Sequence, residues 1–250
     1  MNIKAITATV VLLAAAACTS GEDKVLVLTE RGGQHGPFTD AALEWLAQHG
    51  QENGYTITEI NNTDPITQEY LEGFDAIIQL DYPPFGWTEE AMKAFQKYME
   101  DGKGGWVGFH HASLIGNFRE GWPVWEWFRQ FMGGITYQNY IAELTDGTMH
   151  VETPGHPVMK GVSPEVLIED DEFYIFDRSP RGKVRVLATV DEDSYTAQTP
   201  VRMGDHPVVW TNEDIKGRNV YILMGHSPKL LQSEDFTKMF SNSILWSLER

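Results

Sequence analysis

The chain has one cysteine in 250 residues, Cys18. That excludes an internal disulfide framework and a cysteine-built zinc site, and it leaves the body of the chain without a thiol nucleophile. Positive charge is scarce as well: Lys and Arg number 19 against 36 Asp and Glu, for a formal net charge of −17. Binding nucleic acid needs cations to neutralise phosphates, so no nucleic-acid partner is expected. Nucleotide-binding loops are also missing. Neither "ERGGQHG" (30–36) nor "DGKGGW" (101–106) has the G-x-G-x-x-G spacing or a P-loop pattern, and no nucleotide cofactor is expected. There is no H-E-x-x-H pair and no G-x-S-x-G elbow.

What is present begins at the amino terminus. Lys4 precedes an apolar stretch, residues 6–17, that is too short to span a membrane and has the form of an export signal. It runs through Ala15, Ala16 and Ala17 into Cys18, a pattern similar to a bacterial lipobox, in which the cysteine becomes the lipidated first residue. The expectation is a signal peptide over 1–17, a lipid anchor on Cys18, a short tether over 18–23, and one domain over 24–250. Such a protein sits on a membrane of the bacterial cell envelope, in the periplasm or at the outer membrane. An ordinary secreted protein with a free cysteine is the alternative.

The body of the chain is 42% hydrophobic and 12% aromatic, enough to fill a real core. "KVLVLT" (24–29), "FDAIIQL" (74–80), "GGWVGF" (104–109) and "RNVYILM" (218–224) are near-continuous apolar runs, the pattern of strands buried on both faces of a parallel sheet. Between them Phe38, Ala41, Ala42, Trp45 and Leu46 recur at helical spacing up to an end at Gly54, as do Ala91, Met92, Phe95, Tyr98 and Met99 between a Thr88 cap and Gly102. A buried tryptophan-rich helix is predicted over 122–132, and a closing helix carries Phe236 to Leu248. "YIAEL", "TMHV", "VLIEDDEFYIF", "VRVLATV" and "HPVVWT" make the region 135–211 richer in strand. The pattern predicts an α/β fold with a mostly parallel sheet and an antiparallel strand extension in the C-terminal half.

In such sheets ligands bind beyond the carboxyl ends of the strands. His35 follows the first strand, His110 and His111 the fourth, and His226 the last, so these histidines are expected to converge on one pocket. Adjacent residues in extended backbone point to opposite faces. Only one of His110 and His111 then reaches straight into the pocket, unless the chain turns between them. Within "EDDEFYIF" (169–176), Glu169 and Asp170 read as a solvated strand entry. Glu172 reads as a partly desolvated carboxylate suited to acid–base work, with Tyr174 on the same face able to hydrogen-bond a ligand. Ser113 lies near a histidine, but no Asp completes a triad. Imidazoles plus a carboxylate also match a zinc-type divalent ion at His110, Glu172 and His226, a reading that rests only on the inferred convergence. His156-Pro157 and His206-Pro207 read as the starts of turns or strands.

Taken in order, "QHGPF", "GFDAIIQL", "GGWVGFHHAS", "FMGG", "GHPVMKGV", "DEFY", "HPVVWT" and "GRNVYILMGH" resemble the ThuA-like family, named for trehalose utilisation, from Lys24 to Arg250. The resemblance implies a fold similar to class I glutamine amidotransferases, a flavodoxin-like three-layer sandwich. There the equivalent strand ends in a nucleophilic cysteine; here it ends in "GFHHAS", which excludes glutaminase chemistry by that route. His110 matches the single histidine of the more familiar family pattern, and His111 is the extra one. His35, Glu172 and His226 match the other polar positions of the family.

The family's link to carbohydrate catabolism implies a small carbohydrate as partner, and a hydrolase or lyase acting on a glycoside or keto-glycoside. The expected catalytic residues are His110, Glu172, His226 and His35; the expected substrate-binding residues are His111, Ser113, Trp125 and Tyr174. No second carboxylate is evident for a standard two-carboxylate glycosidase. Two other classes compete. A sugar-binding lipoprotein would stack Trp122, Trp125 and Tyr174 on sugar faces. A structural envelope protein would leave the histidines apart.

Overall fold

A computed structural model describes residues 22–116 and 124–249. The signal and anchor residues, Cys18 included, and Trp122 therefore lie outside the described residues. The core is a nine-stranded sheet whose order is β2-β1-β3-β4-β11-β10-β9-β6-β7. Its parallel part consists of β1 (Asp23–Thr29), β2 (Tyr55–Ile60), β3 (Ala76–Leu80), β4 (Gly105–Phe109) and β11 (Asn219–Ile222). Every residue of β3, β4 and β11 is buried, which is why their sequences run apolar without alternation. The antiparallel extension follows as β10 (Pro207–Thr211), β9 (Arg185–Asp191), β6 (Thr145–Val151) and β7 (Glu165–Asp171). The strand order reverses between β1 and β3, the switch point beside which ligands gather in such sheets.

Helices cover both faces. On one side α1 (Gly36–Asn53) and α5 (Glu234–Ser247) meet through Trp45 stacked on Phe240, 4.7 Å between rings, and Phe109 of β4 packs on Phe38 and Phe240. On the other, α3 (Glu89–Asp101) and the short α4 (Glu126–Phe131) close Phe95, Phe128 and Phe131 around Trp106. Alternation along one strand thus feeds both layers. A one-turn helix, α2 (Gln68–Leu71), leads into β3. The helix ends are those the sequence marks: Thr88 Oγ1 accepts the Ala91 amide, and Gly54 and Gly102 close α1 and α3 in the left-handed conformation.

Three expectations change. The tryptophan-rich helix is described only over Glu126–Phe131. "YIAEL" is strand only at its first residue, the end of β5 (Tyr137–Tyr140). "VLIEDDEFYIF" is not one strand. It breaks after Asp171, and its last part becomes β8 (Tyr174–Phe176), which leaves the main sheet and pairs with β5. Asp170, at φ +54°, turns the chain there and sets Glu172 on a corner rather than in a ladder.

Candidate functional site

Four carboxyl-end segments and the β7–β8 corner meet at one place. His35 sits on a single turn, Gly33–His35, between β1 and α1. His110 is the first residue after β4, with φ at +40°. A non-glycine residue held there costs about 1–3 kcal/mol, so the surroundings must over-determine it. They do: the His110 carbonyl accepts the Ser113 hydroxyl (2.9 Å) and lies 3.0 Å from the Tyr221 hydroxyl oxygen, and the His110 Nδ1 lies 2.8 Å from the Leu223 carbonyl. That strained turn reverses the expectation for adjacent residues in extended chain. His110 and His111 present stacked rings, 5.5 Å apart and 13° from parallel, to the same side.

The His110 tautomer follows from its partner. A carbonyl only accepts, so Nδ1 carries the proton and Nε2 presents a lone pair to Glu172 Oε2 at 3.1 Å. His35 Nε2 and His226 Nδ1 lie 4.0 and 3.9 Å from the same oxygen, and both are buried with no hydrogen-bond partner among the described residues. One donor atom from each of His35, His110, Glu172 and His226 lies within 4.8 Å of the others. Burial, reinforced by the neighbouring imidazoles, pushes His35 down to about 2, and burial lowers His110 and His226 too, so the rings are neutral at ordinary pH. Burial also raises the Glu172 carboxyl, against the opposing pull of the neighbouring imidazoles and the Tyr174 hydroxyl. Neutral imidazoles, one with its other nitrogen tied to a backbone carbonyl, are the form that ligates metals. A zinc-sized ion with bonds of about 2.0–2.1 Å spaces its donors roughly 3.3 Å apart. The donor set fits such an ion after small side-chain shifts.

His111 stands next to this set. Its Nδ1 is shared between Glu30 Oε2 (2.7 Å) and the Asp81 carbonyl (3.0 Å), both acceptors, and its ring lies 4.1 Å from that of His35. His35 and Glu172 of the cluster, with His111, line an open pocket of about 270 Å3 that is bordered by Gln34, Leu114, Tyr137, Tyr140 and Tyr174, while His110 and His226 lie behind it. Tyr174 stacks on His110 with 4.2 Å between rings.

Two expected binding residues do not line it. Ser113 is fully buried, its oxygen accepting from Tyr221 at 2.7 Å while its proton goes to the His110 carbonyl, so it holds the turn. Trp125 packs on Trp87, Phe95 and Phe128 in the core. His156 caps a turn through the Val158 amide, and His206 sits in a buried network just before β10, in line with their reading as the starts of turns or strands.

Two buried carboxyls were missed. Asp171 accepts the amides of Gly225, His226 and Ser227 (2.9–3.2 Å), which fixes the loop that carries His226; burial still raises it to about 7. Asp81, at φ +50° just past β3, has one oxygen without a partner, and burial together with Asp171 and Glu30 raises it well above the ordinary carboxyl range. Its position one residue past an apolar strand is the same signal that marked His110.

Against known proteins, the family described as ThuA, trehalose utilisation, matches residues 24–247. A ThuA-like protein of Bacteroides uniformis is similar in structure at a TM-score of 0.80 and 26% identity, covering 94% of this chain and 95% of that one. A ThuA-like protein of Parabacteroides merdae shares the fold at a TM-score of 0.66 and 15% identity, over 92% and 90% of the two chains. The fold also covers 31% of a beta-galactosidase from Bacillus circulans sp. alkalophilus, and 91% of this chain, at a TM-score of 0.54 and 14% identity. No curated protein matches the chain.

Proposed function

Since the chain belongs to the ThuA, trehalose utilisation, family, we propose that it is an enzyme of carbohydrate catabolism, a hydrolase or lyase for a glycoside or keto-glycoside, built around one divalent ion such as zinc. His35, His110, Glu172 and His226 are its ligands. The observation that carries this reading is the pair of buried ring nitrogens on His35 and His226, unpartnered and gathered with the His110 lone pair around one carboxylate oxygen. Buried polar groups are costly to leave unpaired, and a cation satisfies all four at once.

A bound ion would polarise a hydroxyl or carbonyl oxygen of the sugar. Proton transfer then falls to His111, whose ring faces the pocket and is oriented by Glu30. Carboxylate-oriented imidazoles are the common acid–base pair of enzymes. Glu172 is engaged as a ligand.

The experiment is turnover of trehalose, other disaccharides and their 3-keto forms by the purified full-length protein, read as released monosaccharide. Turnover abolished by EDTA and restored by Zn2+ supports the proposal. EDTA-insensitive turnover refutes the ion's role, and binding without turnover makes the protein a sugar-binding module instead.

We also propose that Cys18 carries a lipid that tethers the domain to the envelope membrane. What supports this is the small-residue run into the only cysteine. Labelled palmitate should enter the wild-type chain and not Cys18→Ser, which should leave the membrane fraction; equal labelling of both refutes the anchor.

A further inference from the structure

The rim of the pocket has a construction of its own. Residues three apart on a regular strand point to opposite faces. Tyr137 and Tyr140 are three apart on β5, yet both border the pocket. The register explains it: Tyr137 pairs with Phe176 and Asn139 with Ile175, so two steps of β5 oppose one step of β8. That is a bulge, and a bulge resets the alternation and re-aims a side chain. Tyr140 then pairs with Tyr174, against which Tyr137 packs edge-on at 5.2 Å between rings. A path of tyrosines thus leads from the ligand cluster to the surface. At its outer end Tyr140 is 40% exposed, one of three exposed large hydrophobic residues among those described.

The interior supplies the size argument. About 270 Å3, running from His35, His111 and Glu172 to Leu114, Tyr137 and Tyr140, lies just below the roughly 300–1,000 Å3 of ordinary small-molecule sites, so it takes about one sugar ring and a second ring has to lie over the exposed part of Tyr140 at the mouth. Charge narrows the class further. Among the described residues no Lys or Arg borders the pocket, while Glu172 lines it and Glu30, Asp81 and Asp171 stand behind the histidines. An anionic substituent finds no counter-charge there among the described residues.

We infer that the β5 bulge builds an outer subsite, with Tyr140 as its flat face and Tyr137 and Leu114 as its walls, for the second ring of a neutral glycoside. This rests on the carbohydrate reading above. It adds that the substrate is at least two rings long and carries no phosphate or carboxylate. Tyr140 selects that length; it takes no part in the chemistry and touches none of the ligand residues' donor atoms.

Calorimetric binding to the zinc-loaded full chain tests this with three probes: glucose, trehalose and trehalose 6-phosphate. Wild type should bind trehalose roughly tenfold more tightly than glucose, the factor that about 1.4 kcal/mol of aromatic contact gives. Tyr140→Ala should lose that advantage with glucose affinity and zinc content unchanged, while Tyr140→Phe, which keeps the ring, should retain it. The phosphorylated disaccharide should bind more weakly than the neutral one. Equal binding of glucose and trehalose by wild type, a full advantage in Tyr140→Ala, or phosphate binding as tight as neutral each overturns the subsite alone. Failure of every sugar to bind wild type overturns the carbohydrate reading and the subsite with it.

Discussion

His111 is the pocket residue best equipped to move a proton. Its Nδ1 proton is committed to Glu30 and to the Asp81 carbonyl, which leaves the other nitrogen free to accept one. His110 differs in kind: it is wholly buried, its Nδ1 is spent on Leu223, and its remaining lone pair faces Glu172. The two neighbours should therefore separate under mutation. His111→Ala is expected to lower kcat by about 100-fold or more, the usual worth of a general acid or base, with bound metal unchanged. His110→Ala should release the metal. If His111→Ala released metal as His110→Ala does, the division of roles would be wrong. The sequence pointed to His35, His110, His111 and His226 because strand ends in a parallel sheet share an edge, and to Glu172 as a partly desolvated carboxylate beside an aromatic strand. It could not say that His110 and His111 face the same side, since that depends on a left-handed residue at His110 that no local pattern announces. Ser113 and Trp125 misled for a related reason: nearness in sequence to the site says nothing of which way a side chain faces.

Between residues and fold, the element that matters most is the corner where β7 ends and β8 begins. Read as one strand, it hides Glu172 in a ladder; broken by Asp170, it delivers Glu172 and Tyr174 to the pocket. β8 is steadied from behind. His206 Nε2 reaches the Tyr174 carbonyl at 3.0 Å, and its Nδ1 meets Glu192 at 3.0 Å. Glu192 also accepts the Met203 and Gly204 amides. Burial pushes the Glu192 carboxyl up, but the His206 bond and the two amides outweigh it, and it titrates below its ordinary range. A depressed carboxyl stabilises the folded state above its unfolded pKa and loses that contribution as pH falls through the folded value. The loop at Met203 and Gly204 should therefore loosen below about pH 4, where a glutamate ordinarily protonates. Hydrogen exchange at those two amides, corrected for intrinsic rates, should rise between about pH 6 and pH 3.5 in wild type. In Glu192→Gln the two conditions should match; a persisting rise there would assign the loosening to another group.

Across the whole molecule, the sequence was most legible where burial is two-sided. Apolar runs in β1, β3, β4 and β11 announced the parallel sheet, and the caps at Thr88, Gly54 and Gly102 marked helix ends. The antiparallel extension was visible as a class but not in its order, because the pairing of β6 with β9 joins residues about 40 apart in the chain, which no local signal encodes. The site inherits its position from this sheet, and its chemistry depends on whether the convergent donors hold an ion. Metal titration of EDTA-stripped protein decides that most directly. The account predicts one Zn2+ per wild-type chain, and affinity reduced by about 100-fold or more in His35→Ala and in Glu172→Gln, with both variants still folded by circular dichroism. Absence of specific binding by wild type, or binding that both variants leave untouched, would contradict it.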